Sequence, residues 1–408
     1  TGTGHDTFTG VNNVTATNLP YDVTIDARVN TSSLTLRGGS GNDTLYGGAG
    51  NDRETGSGGP DLLIGGDGSD LLTGRSGNDS YYFMAADTGM DVINDGEQGR
   101  TDYTVHVIDR LTGFAGESDV PRGHGEPEFP ELAELLKQFA SPFQNRPACS
   151  GPVAWKDWPA VEADIARAKA AMVKAGVEEY FMTSPSPGQI ARYLKNSYFK
   201  TDEEYLYALA DVMKREYKAI VDAGFVLQLD CPDLAMSYSL YPGIDIAGYR
   251  KIITTNVEAL NHAVKDLPAD RMRMHVCWGS TLGPHHGDVP LKEIADIILK
   301  GKPQAVSFPG ANPRHGHEWK VWNDVKLPDG KIIIPGIIDS TSNFVEHPEL
   351  VADRIAQYAK VVGAENMIAG VDCGFGTFAG RVQVDSKIVW MKLSALAEGA
   401  AMASGLLH

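Results

Sequence analysis

Residues 38–82 read GGSGNDTLY GGAGNDRET GSGGPDLLI GGDGSDLLT GRSGNDSYY, five consecutive units of nine residues. The sixth position is aspartate every time: Asp43, Asp52, Asp61, Asp70 and Asp79. The eighth is apolar in four of the five, at Leu45, Leu63, Leu72 and Tyr81, with Glu54 the exception. A flexible Gly-rich linker has no cause to hold one carboxylate in strict register through repeated units. The period instead describes stacked turns, each giving a tight glycine loop and a short strand whose apolar residue faces a thin core.

The pattern G-G-x-G-x-D-x-U-x in this stretch resembles the RTX family of calcium-binding β-rolls. The resemblance implies a parallel β-roll over residues 38–88. It also implies that Asp43, Asp52, Asp61, Asp70 and Asp79, with the carbonyls of stacked turns, supply the hard oxygen ligands that calcium prefers. Without calcium the repeated carboxylates repel one another, so the roll is predicted to unfold on calcium removal. Residues 1–37 are rich in Thr, Asn and Val and lack the period; they read as a β-rich cap or degenerate repeats.

Composition changes sharply beyond the repeats. Residues 1–88 carry eleven Asp/Glu against four Arg and no Lys, and the first lysine is Lys137. Residues 38–77 hold fourteen glycines, whereas beyond residue 90 helical patterns with Lys/Glu-rich faces take over, which marks a domain boundary. The whole chain has 408 residues and a formal net charge of −17, a balance that argues against a nucleic-acid or anionic-membrane partner. There is no apolar run of about 18 residues, so no transmembrane helix is expected. Four widely spaced cysteines do not make a disulfide framework in a chain this long. The chain opens on Thr1 with no charged-then-apolar leader after it, as a trimmed N-terminus or a fragment would.

From residue 89 to 408 short hydrophobic runs alternate with helix-period segments. The predicted strands are MDVIND (90–95), EEYFMTS (178–184), GFVLQLD (224–230), RMRMHVCW (271–278), QAVSF (304–308), KIIIPGIID (331–339) and NMIAGVD (366–372). Between them, WPAVEADIARAKAAMVKAG and TDEEYLYALADVMKREYKAIVDAG read as helices closed by Gly176 and Gly224. This alternation predicts a parallel sheet with helices outside it, an α/β barrel of the TIM type short of one strand–helix unit. Polar motifs fall at the strand ends, where such barrels carry their chemistry: NDGE, TSPSPG, LDCPD, HVCWG, SFPGANPRH, IDSTS and VDCG.

His275 and Cys277 stand two apart at one of these ends, so a strand turns both side chains to the same side. Cys373 stands at another end, in VDCG. One imidazole and two thiolates form a soft donor set suited to zinc. HVCW, VDCGFGT, LQLDCPDLAM, NDGEQGRTDYTVHVIDRLTGF, NPRHGHEW and DSTSNFVEHPEL together resemble the catalytic barrel of cobalamin-independent methionine synthases and their single-domain relatives, over about residues 89–408. The resemblance implies zinc-dependent alkyl transfer to a thiol, with His275, Cys277 and Cys373 as metal ligands. It implies that Glu97 and Asp230 hold the amino group of the thiol substrate. In that family the acceptor is homocysteine and the donor a methylated folate.

The sequence departs from the family in three places. Pro309 stands where the family has a zinc-binding glutamate, so the fourth ligand is missing, is a water, or comes from nearby Glu318 or His315. Asp339, Ser340 and Thr341 stand where methionine synthases have a seventh-strand histidine. The first strand and helix of the barrel have no counterpart, so an open sheet with exposed edges is expected.

Arg314 and His315 are candidates for gripping an anionic substrate group, and Asp339 is a third pocket candidate. His285 and His286, adjacent on a loop, read as a polar rim, and Cys149 and Cys231 as packing thiols. The expected partners are a small thiol acceptor and an alkyl donor, of the folate type or an epoxide as in coenzyme M transferases. A non-catalytic barrel in a secreted calcium-binding module is the alternative. The RTX resemblance points to export and the barrel to the cytoplasm. The zinc reading requires the Cys277 and Cys373 sulfurs within roughly 4 Å of each other.

Overall fold

The computed structural model describes residues 13–16, 19–68, 70–76, 80–81, 92–93, 103–116, 129, 131–132, 147–176, 179–241, 243–280, 283–375 and 384–407. The chain divides into two compact units: Thr1–Val105 with Thr377–Val382, and His106–Gly376 with Gln383–His408.

The first unit is a roll of two parallel sheets. Strands β1 (Asn13–Thr15), β3 (Thr35–Arg37), β5 (Arg53–Gly58), β7 (Leu71–Ser76) and β9 (Val92–Ile93) form one sheet, in that order. Strands β2 (Thr24–Asp26), β4 (Thr44–Tyr46), β6 (Leu62–Ile64) and β8 (Ser80–Tyr81) form the other. Successive strands of the chain alternate between the sheets. Thr35 therefore pairs with Arg53 and Arg53 with Leu71, while Thr44 pairs with Leu62 and Leu62 with Ser80. The first coil comes from residues outside the repeats, since Asn13 pairs with Thr35 and Thr24 with Thr44.

Leu34, Leu36, Leu45, Leu63 and Leu72 fill the roll, with Val14, Ile25 and Ala27 packed against them. Glu54, in register between Leu36 and Leu72, has 0% exposure, and its Oε2 accepts the Ile64 N–H at 3.2 Å. A carboxylate thus shares the interior with the leucines.

In the second unit β10 (Phe114–Ala115) and β11 (Ala148–Cys149) form an antiparallel pair. The main sheet is β12 (Phe181–Pro185), β13 (Val226–Asp230), β14 (Met272–His275), β15 (Ala305–Phe308), β16 (Ile332–Ile338) and β17 (Gly370–Val371), in chain order and parallel throughout. It curls into a half-barrel with helices packed on it. Six of the seven predicted strands form this sheet. The seventh, MDVIND, is a correction: Val92 and Ile93 pair with Leu71 and Leu72, so this segment extends the roll.

The helices begin and end where side chains satisfy the free backbone groups. Asp157 accepts the Ala160 N–H at 3.2 Å to open Trp158–Ala175, and Gly176 closes it at φ 63°. Thr201 Oγ1 accepts the Glu204 N–H at 3.1 Å to open Asp202–Asp222, whose first turn carries three acids against the positive end of the helix dipole. Tyr205, Leu209, Met213, Tyr217 and Ile220 recur at helical spacing and are buried in the core that also contains Leu227 and Leu229 of β13. Among the described residues no helix is long and apolar enough to cross a membrane.

Candidate metal centres

The register of the half-barrel brings the polar strand ends side by side. Pro185 pairs with Asp230, Asp230 with His275 and His275 with Ser307, all at the C-terminal ends of their strands. Side chains alternate along a strand, so Gln228 and Asp230 share one face of β13, as Arg273 and His275 share one face of β14. Arg273 Nε donates to Gln228 Oε1 at 2.7 Å, and Gln228 Nε2 donates to Asp230 Oδ1 at 2.8 Å. This polar ladder fixes Asp230 beside His275.

His275 ends β14, and the chain turns sharply two residues after Cys277, at Gly279 with φ 98°. The Gly279 N–H donates to Cys277 Sγ at 3.1 Å, and the Met236 N–H donates to the Cys277 carbonyl at 3.1 Å. Cys373 follows β17, where the Asp372 N–H donates to the Ile338 carbonyl at 3.1 Å. One ring nitrogen of His275 and the two sulfurs lie within 4.8 Å of one another, the one such group of three among the described residues. The two sulfurs are 3.9 Å apart. Two thiolates on one tetrahedral zinc, with Zn–S near 2.3 Å, stand about 3.8 Å apart. His275 Nδ1 lies 3.3 Å from Ser307 Oγ, while its buried Nε2 has no hydrogen-bond partner. A buried imidazole nitrogen beside two close sulfurs is the soft donor set that zinc accepts.

The electrostatics of the trio follow from its crowding. The Cys277 S–H donates to Cys373, which holds Cys277 protonated to high pH and favours the Cys373 thiolate. Burial works to lower the His275 pKa, but Cys373 and Asp230 outweigh it and the net direction is upward. The crowding therefore pulls Cys277 toward the thiol, Cys373 toward the thiolate and His275 toward the imidazolium.

The other expected site residues fall in varied surroundings. Asp339 follows β16, and its Oδ1 accepts the Thr341 N–H and hydroxyl at 2.9 and 2.8 Å. Its own N–H donates to Glu346, which pairs with the fully buried Lys392 at 2.8 Å. Arg314 is exposed and donates to the His286 carbonyl at 3.0 Å. His315 has both ring nitrogens engaged, Nδ1 by Glu318 at 2.7 Å and Nε2 by Asp288 at 3.0 Å, which leaves neither for a substrate or a metal. Glu318 is equally occupied, since its Oε1 accepts the Leu291 N–H at 2.7 Å. Burial works to lower the His315 pKa, yet Asp288 and Glu318 carry it up to about 9, so the imidazole is a cation. His285 adds a third contact to this group, 2.8 Å from Asp288. Cys149 and Cys231 are buried with their thiols turned to carbonyls. Glu97 and Asp79 lie outside the described residues.

In the roll Asp43, Asp52, Asp61 and Asp70 are buried between turns. Asp43 accepts the Gly39 and Val23 N–H groups at 2.6 and 2.9 Å, and Asp52 accepts those of Gly48 and Leu34, both at 2.7 Å. Asp61 and Asp70 reach back one full turn to the N–H of Asp43 and Asp52, at 2.8 and 2.6 Å. At Gly38 a Cβ would stand 2.3 Å from Asp43 Oδ2 and 2.6 Å from the Gly56 carbonyl oxygen, so only glycine fits. Carboxylate and carbonyl oxygens of successive turns thus converge at one place, a donor set of the kind calcium takes.

Residues 35–53 and 55–85 match the RTX calcium-binding nonapeptide repeat family. The methionine synthase of Saccharolobus solfataricus is 22% identical over 316 residues, covering 76% of this chain and 78% of that protein. The methionine synthase of Saccharolobus islandicus is 26% identical over 223 residues, covering 53% of this chain and 56% of that protein. Among solved structures, a B12-independent methionine synthase from Shewanella sp. W3-18-1 in complex with selenomethionine superposes with a TM-score of 0.56. It is 19% identical, and the match covers 78% of this chain and 84% of that one, a likeness of fold.

Proposed function

We propose that this chain, whose N-terminal region carries RTX calcium-binding repeats and whose remainder is similar to cobalamin-independent methionine synthases, transfers a methyl or alkyl group to a small thiol at a zinc site. The observation that carries the reading is the meeting of His275, Cys277 and Cys373 within 4.8 Å at the C-terminal ends of parallel strands. When bound there, zinc supplies a Lewis acid that keeps a substrate thiol deprotonated at neutral pH. His275, Cys277 and Cys373 would hold it, with Ser307 orienting the imidazole.

Asp230, steadied by Gln228 and Arg273, is the carboxylate this reading assigns to the ammonium of an amino-acid thiol, with Glu97 as the second. In the transfer the thiolate sulfur forms a bond to the alkyl carbon, and the bond from that carbon to the donor breaks. The donor leaves with the electron pair and takes up a proton. Homocysteine with a methylated folate is the pair the curated relatives' family supports. An epoxide fits the same three-residue donor set; there the C–O bond that breaks lies in the ring, and its oxygen stays on the new thioether and takes up the proton.

Zinc content of the full chain, measured with calcium saturating, tests the reading. About one zinc per chain is expected, falling below about a tenth in Cys373→Ala. Calcium without zinc in the wild type would overturn it in favour of a non-catalytic barrel. With zinc established, thiol alkylation assayed with a methylated folate against an epoxide separates the two donors.

A further inference from the structure

We propose that the loop Pro309–Glu318, which follows β15, is the positioning element of the thiol site and that His315 is its positioning residue. The inference rests on the zinc reading of His275, Cys277 and Cys373. The loop touches the chain neighbours of both cysteines. On one side the His315 ring packs on Trp278, the residue after Cys277, with centroids 4.5 Å apart. Trp278 Nε1 donates to the Val289 carbonyl at 2.7 Å, so the indole is held at its far end as well.

On the other side Asp372, the residue before Cys373, is buried against the same loop. Its Oδ1 accepts the Gly310 and Ala311 N–H groups, both at 2.8 Å, and its Oδ2 accepts the Asn312 N–H and side-chain amide at 2.9 and 3.2 Å. The close approach depends on Gly336, where a Cβ would lie 1.9 Å from Asp372 Oδ1.

Within the loop the two ends are tied. The His315 N–H donates to Asn312 Oδ1 at 3.0 Å, and Arg354 donates to the Ala311 and Ile337 carbonyls at 3.2 and 2.7 Å. Asp288 and Glu318 hold the His315 ring edge-on through both nitrogens, with 3% of its side chain exposed. A continuous path therefore runs Cys277, Trp278, His315, Asn312, Asp372, Cys373, and each link is a packed ring, a hydrogen bond or a peptide bond. Cys277 and Cys373 come from different strands, and this path sets the distance between their backbones. Partners hydrogen-bonded directly to a ligand commonly change metal affinity by about 10–100-fold, and a path that acts one contact further out is expected at the lower end of that range.

The test uses the full chain, saturated with calcium and titrated with cobalt(II), reading thiolate-to-cobalt absorption and affinity by chelator competition. His315→Gln is expected to weaken cobalt binding by about 10-fold and to shift the visible bands. Trp278→Leu is expected to do the same and Trp278→Phe, which keeps a ring against His315, to recover most of the affinity. This pair keeps the test open should His315→Gln not fold. A wild-type thiolate–cobalt band that His315→Gln or Trp278→Leu leaves unchanged in affinity and position overturns the proposal alone. A wild type with no such band, or one that survives Cys277→Ser with Cys373→Ser, overturns the metal-centre reading and this proposal together.

Discussion

In the roll, oxygen-bearing residues recur every nine positions and the same contact is made turn after turn, as when Asp61 reaches the Asp43 N–H and Asp70 the Asp52 N–H. In the half-barrel, the two sulfurs come from cysteines 96 residues apart in sequence and are brought together only by the fold. The cores differ as much. The roll closes on five buried leucines, with a buried glutamate among them. The half-barrel surrounds its site with a large continuous core contributed by helices and strands alike. Small units with thin cores generally need metals or cross-links to stay folded. Calcium is thus expected to be a condition of folding in the first region, while zinc would be a guest in a scaffold already made in the second.

The largest effect expected from this contrast is on calcium removal. EGTA added to the full chain should abolish the β-sheet contribution of the roll in far-UV circular dichroism and open residues 38–76 to proteolysis. The helical signal of the half-barrel should persist. A roll that keeps its spectrum without calcium would break the comparison at its root.

A smaller effect should appear on the other side only. Lys392, with 0% exposure, holds Glu346 at 2.8 Å. Lys392→Met would leave that carboxylate buried without its cation, at a cost of about 3–5 kcal/mol. Urea unfolding should show the loss in the half-barrel transition, with the calcium midpoint of the roll unchanged. A shift in both would mean that the two regions fold as one.

The smallest effect is a pH slope. His315 has its pKa carried from the ordinary histidine range up to about 9, so its pairing stabilises fully below about pH 6.5 and is lost as pH rises through 9. The half-barrel should therefore lose on the order of 3 kcal/mol across that window. His315→Gln should flatten the slope. Equal slopes in both proteins would assign the loss to another group.

How much of this was legible in the chain follows the same contrast. The nonapeptide spacing is written along one dimension, and it announced the roll directly. The first coil was legible only as a β-rich cap or degenerate repeats, because Asn13 pairs with Thr35 and Thr24 with Thr44, steps that do not match the 18-residue spacing of the repeats. MDVIND misled for a related reason: Val92 pairs with Leu71, again out of step, and a short apolar run looks alike in a roll or a barrel.

In the half-barrel, the His-x-Cys spacing on a strand and the resemblance together pointed to His275, Cys277 and Cys373. The motif NPRHGHEW drew attention to a loop that packs beside Trp278 and Asp372 but not to the contacts of its residues. Nothing in the order of Arg314 and His315 tells which of two neighbours turns inward. That depends on Asp288, 27 positions away, and on Trp278, which no local pattern links to it.

The stacking period of the roll has a consequence for how such a head can change in length. Strands 18 residues apart are hydrogen-bonded neighbours, whereas strands nine apart lie in opposite sheets. Inserting a single unit would send every later strand across to the other side and reverse the face on which the chain leaves. Inserting two restores every partner. Growth or shrinkage by whole coils is therefore silent to the rest of the stack, and an odd step is not, so unit number in such heads should drift by twos.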